Sequence, residues 1–283
     1  MVKSAVSYEH ADNHTYICGS LWMTLQDKVA LVTGGCGDLG NEMALRLAEN
    51  GCKIAIWDIY HEEHARERID RVKAAGGRVL YQQVDVTERS RVDAAMAELA
   101  EAWGGVEIVC VNAGIVQAEP FLSVTQENWQ RHLDINLTGA FNTAQSAARL
   151  MVERRTYGRI IFTSSWVAEI PWPEITPYTV SKAGVNMLVR QMARELAVYG
   201  IRVNAVAPGI VKAGLAGRQL REEPQYAARV AKVIPLGEPG TPVEIAQAVV
   251  YLASPETAYM TGSILTIDGG CSLFQFDPPE SPQ

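Results

Sequence analysis

Positive charge is scarce in this chain: 25 Lys and Arg stand against 32 Asp and Glu, the net charge is -7, and the cations nowhere gather into a block. A nucleic-acid backbone is bound through a concentrated basic patch, so no nucleic-acid partner is expected. Cysteine is scarce too. Cys18, Cys36, Cys52, Cys110 and Cys271 are odd in number, scattered, and free of any Cys-x-x-Cys pair, which frames neither a disulfide scaffold nor a zinc site. His61 and His64 lie beside Glu62 and Glu63 without a further ligand cluster, so they read as a solvated helix start and no metal is expected. Long apolar runs are missing. Nothing approaches the roughly 18 residues of a membrane span, and the first 25 residues carry His10, Asp12, Asn13 and His14 where a secretory signal needs an apolar segment. The expectation is a soluble cytoplasmic protein with no membrane partner.

What the chain does have is apolar content: 48% of its 283 residues are hydrophobic, enough to bury one sizeable core. From Lys28 onward short β-branched runs near 28–33, 53–58, 78–84, 107–112, 159–164, 202–207 and 264–268 alternate with amphipathic segments near 40–50, 61–75, 88–103, 125–152, 178–199 and 241–253. Such alternation predicts an α/β fold, a single-domain, Rossmann-like, doubly wound parallel sheet with helices on both faces. Residues 1–25 read as a flexible N-terminal extension, 26–271 as the domain and 272–283 as a tail. Two connections, 165–177 and 209–240, are long and follow the carboxyl ends of strands, where ligands bind in sheets of this kind.

The first strand runs through Thr33-Gly34-Gly35-Cys36-Gly37-Asp38-Leu39-Gly40 directly into a helix. Glycines there allow a tight turn and a close approach to a pyrophosphate, whose charge the helix N-terminus stabilises. Asp58 ends the second strand 18 residues beyond Gly40, where a carboxylate accepts hydrogen bonds from the adenosine ribose and repels a 2′-phosphate. Neither Ile59 nor Tyr60 is basic, so NAD is expected in preference to NADP. The alternative is that Asp58 caps the next helix. Further on, Tyr178 and Lys182 stand at i, i+4 on a helix, with Cβ atoms about 6 Å apart. A phenol with an ordinary pKa near 10 becomes a usable base when an ammonium beside it favours the phenolate. Chance alone supplies about 0.25 such pairs in a chain of this composition, so the pair needs its neighbours.

Those neighbours form a series. Thr33 to Gly40, Asp85-Val86, Asn112-Ala113-Gly114, Asn136, Ser164-Ser165, Tyr178-x-x-x-Lys182, Arg202 to Gly209 and Asp268-Gly269-Gly270 together resemble, in order and over about residues 25–271, the short-chain dehydrogenase/reductase family. The resemblance implies NAD-dependent interconversion, by hydride transfer, of a secondary alcohol and a ketone or of a sugar hemiacetal and a lactone. By it Ser165, 13 residues before Tyr178, would hydrogen-bond the substrate oxygen. Tyr178 would exchange the hydroxyl proton, Lys182 would lower its pKa and hold the nicotinamide ribose, and Asn136 would hold a water linking Lys182 to solvent. Gly34, Gly37, Asp38, Leu39 and Gly40 would meet the pyrophosphate. Asp58, Asp85 and Val86 would lie at the adenosine, Asn112 to Gly114 beneath the ribose, and Pro208, Gly209 and Val211 near the carboxamide. A NAD-binding protein without turnover could share the fold, but the complete Asn136, Ser165, Tyr178, Lys182 set weighs against it.

Three positions depart from the family pattern. Asp38 replaces the middle glycine of the turn, so it either faces the pyrophosphate or turns aside to cap the helix. Val111 replaces the first Asn of Asn-Asn-Ala-Gly, and Ala213 stands where a threonine often touches the carboxamide. In the loop after Ser165, Trp166, Glu169 and Trp172 are candidate substrate contacts, and Ile170-Pro171-Trp172-Pro173 is similar to the same region of bacterial glucose dehydrogenases of this family. A sugar or polyol is the leading substrate class, a hydrophobic ketone or cyclic alcohol the second, and Trp172 is either a stacking surface or loop packing. Segment 209–240 reads as a mobile lid of one or two short helices or as a permanently docked helical hairpin. The long apolar helices 125–152 and 178–199, by family resemblance, imply a homotetramer.

Overall fold

All seven predicted strands form: β1 (Val29–Thr33), β2 (Lys53–Asp58), β3 (Val79–Gln83), β4 (Ile108–Val111), β5 (Arg159–Thr163), β6 (Arg202–Pro208) and β7 (Ile264–Ile267). In the computed structural model, which describes residues 25–273, they make one parallel sheet in the order β3-β2-β1-β4-β5-β6-β7. Nearly all of the expected N-terminal extension and C-terminal tail lies outside the described residues. β1 and β4 are buried along their whole length, as strands covered on both faces must be. The strand order reverses between β1 and β4, and ligand crevices open at the carboxyl ends beside such a reversal.

Two apolar layers flank the sheet. On one face α1 (Asp38–Glu49), α2 (Glu62–Ala74) and α9 (Pro242–Ala253) close over Val32, Ile54, Ile56 and Ile108. On the other, α3 (Arg89–Trp103), α5 (Gly139–Glu153) and α6 (Thr176–Leu196) close over Leu31, Trp57, Val109 and Phe162. Burying each such large side chain contributes about 1.5–3 kcal/mol. α9 begins where its cap dictates. The Thr241 hydroxyl accepts the Glu244 N–H, the Glu244 carboxylate accepts the Thr241 N–H, and Pro242 fills the first helical position.

The helix expected over 125–152 is not continuous. α4 (Gln126–His132) passes through a π turn, Leu133–Thr138, before α5 starts at Gly139. Gly139 packs so closely on Val86, in the loop after β3, that a Cβ there would lie 2.5 Å from its methyl carbon. The wider turn places Asn136, 1% exposed, inside the molecule. The segment 209–240, expected to hold one or two short helices, holds two, α7 (Gly214–Glu222) and α8 (Pro224–Val233). They dock through Val230, Val233 and Ile234 onto Trp166, Val167 and Cys271, a third apolar cluster against which Trp172, Tyr178 and Tyr226 also pack.

Candidate active site

The turn after β1 is shaped to admit a phosphate. Gly34 has φ +62, a conformation that favours glycine, and a Cβ on Gly40 would lie 2.2 Å from the Gly34 carbonyl oxygen. That closeness brings the start of α1 down onto the strand end. The first-turn N–H groups of Asp38, Leu39 and Gly40 have no upstream helical carbonyl to receive them and carry the positive end of the helix dipole. The Asn112 amide steadies the turn, donating to the Thr33 carbonyl at 3.0 Å, while the Thr33 hydroxyl accepts the N–H groups of Asn112 and Ala113. This cradle fits a dinucleotide pyrophosphate, with Gly34, Gly37, Leu39 and Gly40 lining it.

Asp38 neither points into the cradle nor caps its own helix, which starts from Gly37 without a side-chain bond. Its carboxylate reaches outward, accepting the Gly214 N–H at 3.0 Å and an Arg68 N–H at 3.0 Å. These contacts, the Gly214 N–H first, hold it below the usual carboxylate range. It is therefore charged at neutral pH, and the contact weakens only as pH falls through that lowered value. The family's middle glycine has thus become a latch between the cofactor turn and the first helix of the 209–240 segment. Asp38→Gly is expected to raise hydrogen exchange in peptides covering 213–222 roughly three- to tenfold, the scale of one charge-assisted bond that is partly solvent-screened. Unchanged exchange there would remove the latch.

Asp58, 8% exposed at the end of β2, accepts the Cys36 N–H at 2.9 Å and the Ile59 N–H at 2.8 Å. It does not cap α2, whose N-cap is His61. Arg68 escaped sequence reasoning because it lies on α2, 30 residues from Asp38. It is the basic group that acts on Cys36 beside Asp58, and its charge is answered by Asp38. Burial lifts the Cys36, Cys52 and Cys271 thiols to about 12 and the Cys110 thiol further, so these four are inert packing groups. Asp85 folds back on the Thr87 N–H and hydroxyl, and the Val86 carbonyl accepts the Asn142 amide. Gly209 approaches Asp268 so closely that a Cβ would lie 2.6 Å from its Cα. The side chains of Val211 and Ala213 pack into the α1/α9 layer, leaving backbone groups to face a ligand.

At the other end of the crevice Tyr178 and Lys182 share a face of α6. The Lys182 ammonium lies 5.5 Å from the centre of the Tyr178 ring and donates to the Thr163 carbonyl at 2.7 Å. Burial pushes Lys182 down to about 8. Burial also pushes the Tyr178 phenol up, opposed by a hydrogen bond with Ser165. Ser165 is therefore the serine at the site, whereas Ser164 is turned into the core and donates to Asn186 at 2.5 Å. Asn136 accepts the Ile115 N–H at 2.8 Å and donates to the Ile115 carbonyl and the Ser181 hydroxyl, each at 3.0 Å. Ser181 in turn donates to the Tyr178 carbonyl at 2.7 Å. The amide thus ties the loop after β4 to the turn of α6 that carries the pair. Gly114 leaves room there, since a Cβ would stand 3.1 Å from the Asn136 oxygen and 3.6 Å from the Lys182 nitrogen.

The candidate substrate residues divide. Trp166, 7% exposed, and Trp172 meet edge to face with ring centres 5.4 Å apart, and both belong to the cluster that receives Tyr178. Glu169 is not brought in: it follows the short turn Trp166–Ala168, and its exposed carboxylate lies 3.8 Å from Arg190 of α6. The 209–240 segment contributes two residues that sequence spacing could not assign, Tyr226 and Arg229. The Arg229 guanidinium stands 4.6 Å from the Trp172 ring centre and 5.6 Å from that of Tyr226.

A parallel doubly wound sheet with a phosphate cradle at one side of its crevice and a Ser, Tyr, Lys group at the other defines a nicotinamide-dependent oxidoreductase. Residues 37–272 match the family model described as enoyl-(acyl carrier protein) reductase. The chain is 38% identical over 250 residues to the 3beta-hydroxysteroid dehydrogenase 1 of Eggerthella lenta, covering 88% of this chain and 95% of the relative. It is 35% identical over 256 residues to the L-2,3-butanediol dehydrogenase of Corynebacterium glutamicum, covering 86% and 98%. A short-chain type dehydrogenase/reductase from Mycobacterium marinum superposes with a TM-score of 0.83 at 37% identity, covering 88% of this chain and 97% of the other. The chain belongs to the short-chain dehydrogenase/reductase family of oxidoreductases, and the hydroxysteroid and butanediol dehydrogenases among its relatives act on CH–OH groups.

Proposed function

We propose that this enzyme oxidises a secondary alcohol, or reduces the corresponding ketone, with NAD as cofactor and a sugar or polyol as substrate. The observation that carries the reading is the convergence of Ser165, Tyr178 and Lys182, tied by Asn136, at the same sheet edge as the glycine cradle. NAD, when bound, supplies the hydride acceptor. Ser165 holds the substrate oxygen, Tyr178 takes the hydroxyl proton, and the Lys182 ammonium favours the phenolate. The Asp58 carboxylate beside the turn supports NAD over NADP, as does the pairing of Arg68 with Asp38 rather than with a free phosphate pocket. The expected kcat/KM for NAD exceeds that for NADP by at least about tenfold. Equal efficiency with both cofactors would overturn the assignment.

The half-buried Trp172, beside the cluster that receives Tyr178, supports contact with a carbohydrate ring. A hydrophobic cyclic alcohol is the second reading, favoured by the 38% identity to a hydroxysteroid dehydrogenase. NADH absorbance at 340 nm with a panel of sugars, polyols, 2,3-diols and hydroxysteroids decides between them, and turnover of hydroxysteroids alone would replace the first reading by the second. We further place the enzyme in the cytoplasm, in keeping with four unpaired buried cysteines, and as a homotetramer. The supporting surface is the groove between α5 and α6, where Phe141, Leu188, Met192 and Leu196 lie together. Light scattering at micromolar concentration should give four times the 30.9 kDa chain mass; a monomer mass would rule this out.

A further inference from the structure

Where the family pattern has a glycine this chain has Asp38, and one of its carboxylate oxygens holds the Arg68 guanidinium at 3.0 Å while the other accepts the Gly214 N–H at 3.0 Å. Arg68 is brought there by its own backbone. Asn41, fully buried, donates to the Arg68 carbonyl at 3.1 Å and to the Gly35 carbonyl at 3.3 Å, so one amide ties α2 to the glycine turn at this point. The guanidinium thus reaches the turn both at Asp38 and at Cys36, on whose thiol its charge acts. Asp58 holds the same turn, accepting the Cys36 N–H at 2.9 Å. The side chains of Arg68 and Asp38 are 37% and 44% exposed, so a ligand on the turn can reach both. Arg71, three positions on, is occupied by Glu42 at 2.6 Å and by the Asn41 oxygen at 3.3 Å.

We propose that Asp38 is a positioning residue for cofactor choice: by capturing Arg68 it withholds from a 2′-phosphate the guanidinium that would otherwise receive it beside Asp58. The proposal rests on the NAD reading above and deepens it, since discrimination then lies in two carboxylates, one that repels the phosphate and one that disarms its partner. Charge counting sets the direction. A phosphate carries nearly two negative charges at neutral pH, and drawing Arg68 onto it leaves one guanidinium to answer the phosphate, Asp38 and Asp58 together. With residue 38 neutral, Arg68 has no carboxylate to leave, and its planar fork suits phosphate oxygens. A lone exposed ion pair is weak. Here the Gly214 N–H fixes the carboxylate through its second oxygen, so Arg68 faces a steady acceptor. The charge of Arg221 on α7 also acts on Asp38, and the test has to separate it from that of Arg68.

The test is calorimetric binding of 5′-AMP and of 2′,5′-ADP to the whole chain. The two ligands differ by the 2′-phosphate, and 5′-AMP reports in every variant that the site is folded. Asp38→Asn, which keeps the size of the side chain, should bind 2′,5′-ADP about tenfold tighter than the wild type and change 5′-AMP by less than about twofold. Asp38→Gly should move the same way. With Arg68→Met in the background, the gain on removing the charge at position 38 should shrink below about threefold. A gain under about threefold in both Asp38 variants overturns the proposal, as does a gain above about threefold that survives the loss of Arg68, which would leave Asp38 acting by its own repulsion or through Arg221. Equal tightening of both ligands overturns it too, because it marks a general change of the cradle. The wild-type ratio of NAD to NADP affinity tests the cofactor reading separately. Equal affinity there, with an Arg68-dependent gain in the Asp38 variants, sinks that reading and keeps this proposal; a wild type that prefers NAD, with no gain in the variants, sinks this proposal alone.

Discussion

Tyr178→Phe is expected to lower kcat by about 10³-fold while leaving the dissociation constant for NAD nearly unchanged. The substitution removes one oxygen. The ring keeps its place on the cluster of Trp166, Val230 and Cys271, and the cradle of Gly34 to Gly40 lies at the far end of the crevice, so neither fold nor cofactor site is disturbed. What is lost is the group within reach of the substrate proton, and a positioned general base or acid contributes typically 10²–10⁴-fold. In the empty site burial holds the phenol protonated and the Ser165 hydrogen bond opposes that shift only in part. Activity therefore depends on the positive charge of Lys182 and on the oxidised nicotinamide to bring out the phenolate. Steady-state turnover together with fluorescence titration of NADH checks the result. More than a tenth of the wild-type kcat in Tyr178→Phe would remove Tyr178 from the proton path.

The strands were legible because each is an apolar β-branched run flanked by polar turns, and a strand buried on both faces has no other composition open to it. The pairing of the two candidate catalytic side chains was legible for a different reason. Tyr178 and Lys182 lie one helical turn apart, so sequence distance and spatial distance coincide. Where contacts join remote segments, spacing carried no information. Asp38 meets Gly214 across 176 positions, and Arg68 and Arg229 reach their places only through the packing of α2 and α8. The π turn at Leu133–Thr138 was hidden because its residues keep the apolar periodicity of a continuous helix. The extra residue in the turn is set by the packing of Gly139 on Val86 and by the bonds of Asn136 to Ile115 and Ser181. Glu169 illustrates the reverse error: a carboxylate near aromatic residues in sequence was turned outward by the backbone and met Arg190 instead.

Lys182→Met should reduce kcat for oxidation at neutral pH by about 10²-fold and move the rising limb of its pH profile to higher pH. Two roles have to be separated. The ammonium donates to the Thr163 carbonyl at 2.7 Å at the end of β5, a structural contact. It also stands 5.5 Å from the Tyr178 ring centre, where a positive charge in a water-poor site stabilises the phenolate. Oxidation needs the phenolate, so the rate climbs with pH until Tyr178 has ionised. With the ammonium in place that climb ends at lower pH, and without it burial alone acts and holds the proton on. Methionine fills nearly the same space as the lysine stem, so the comparison isolates the charge. Profiles of kcat against pH from 6 to about 10.5, with melting temperatures recorded alongside, discriminate between the roles. A variant that melts earlier but keeps the wild-type midpoint would reduce Lys182 to a peg for Thr163 and leave the activation of Tyr178 to the nicotinamide charge alone.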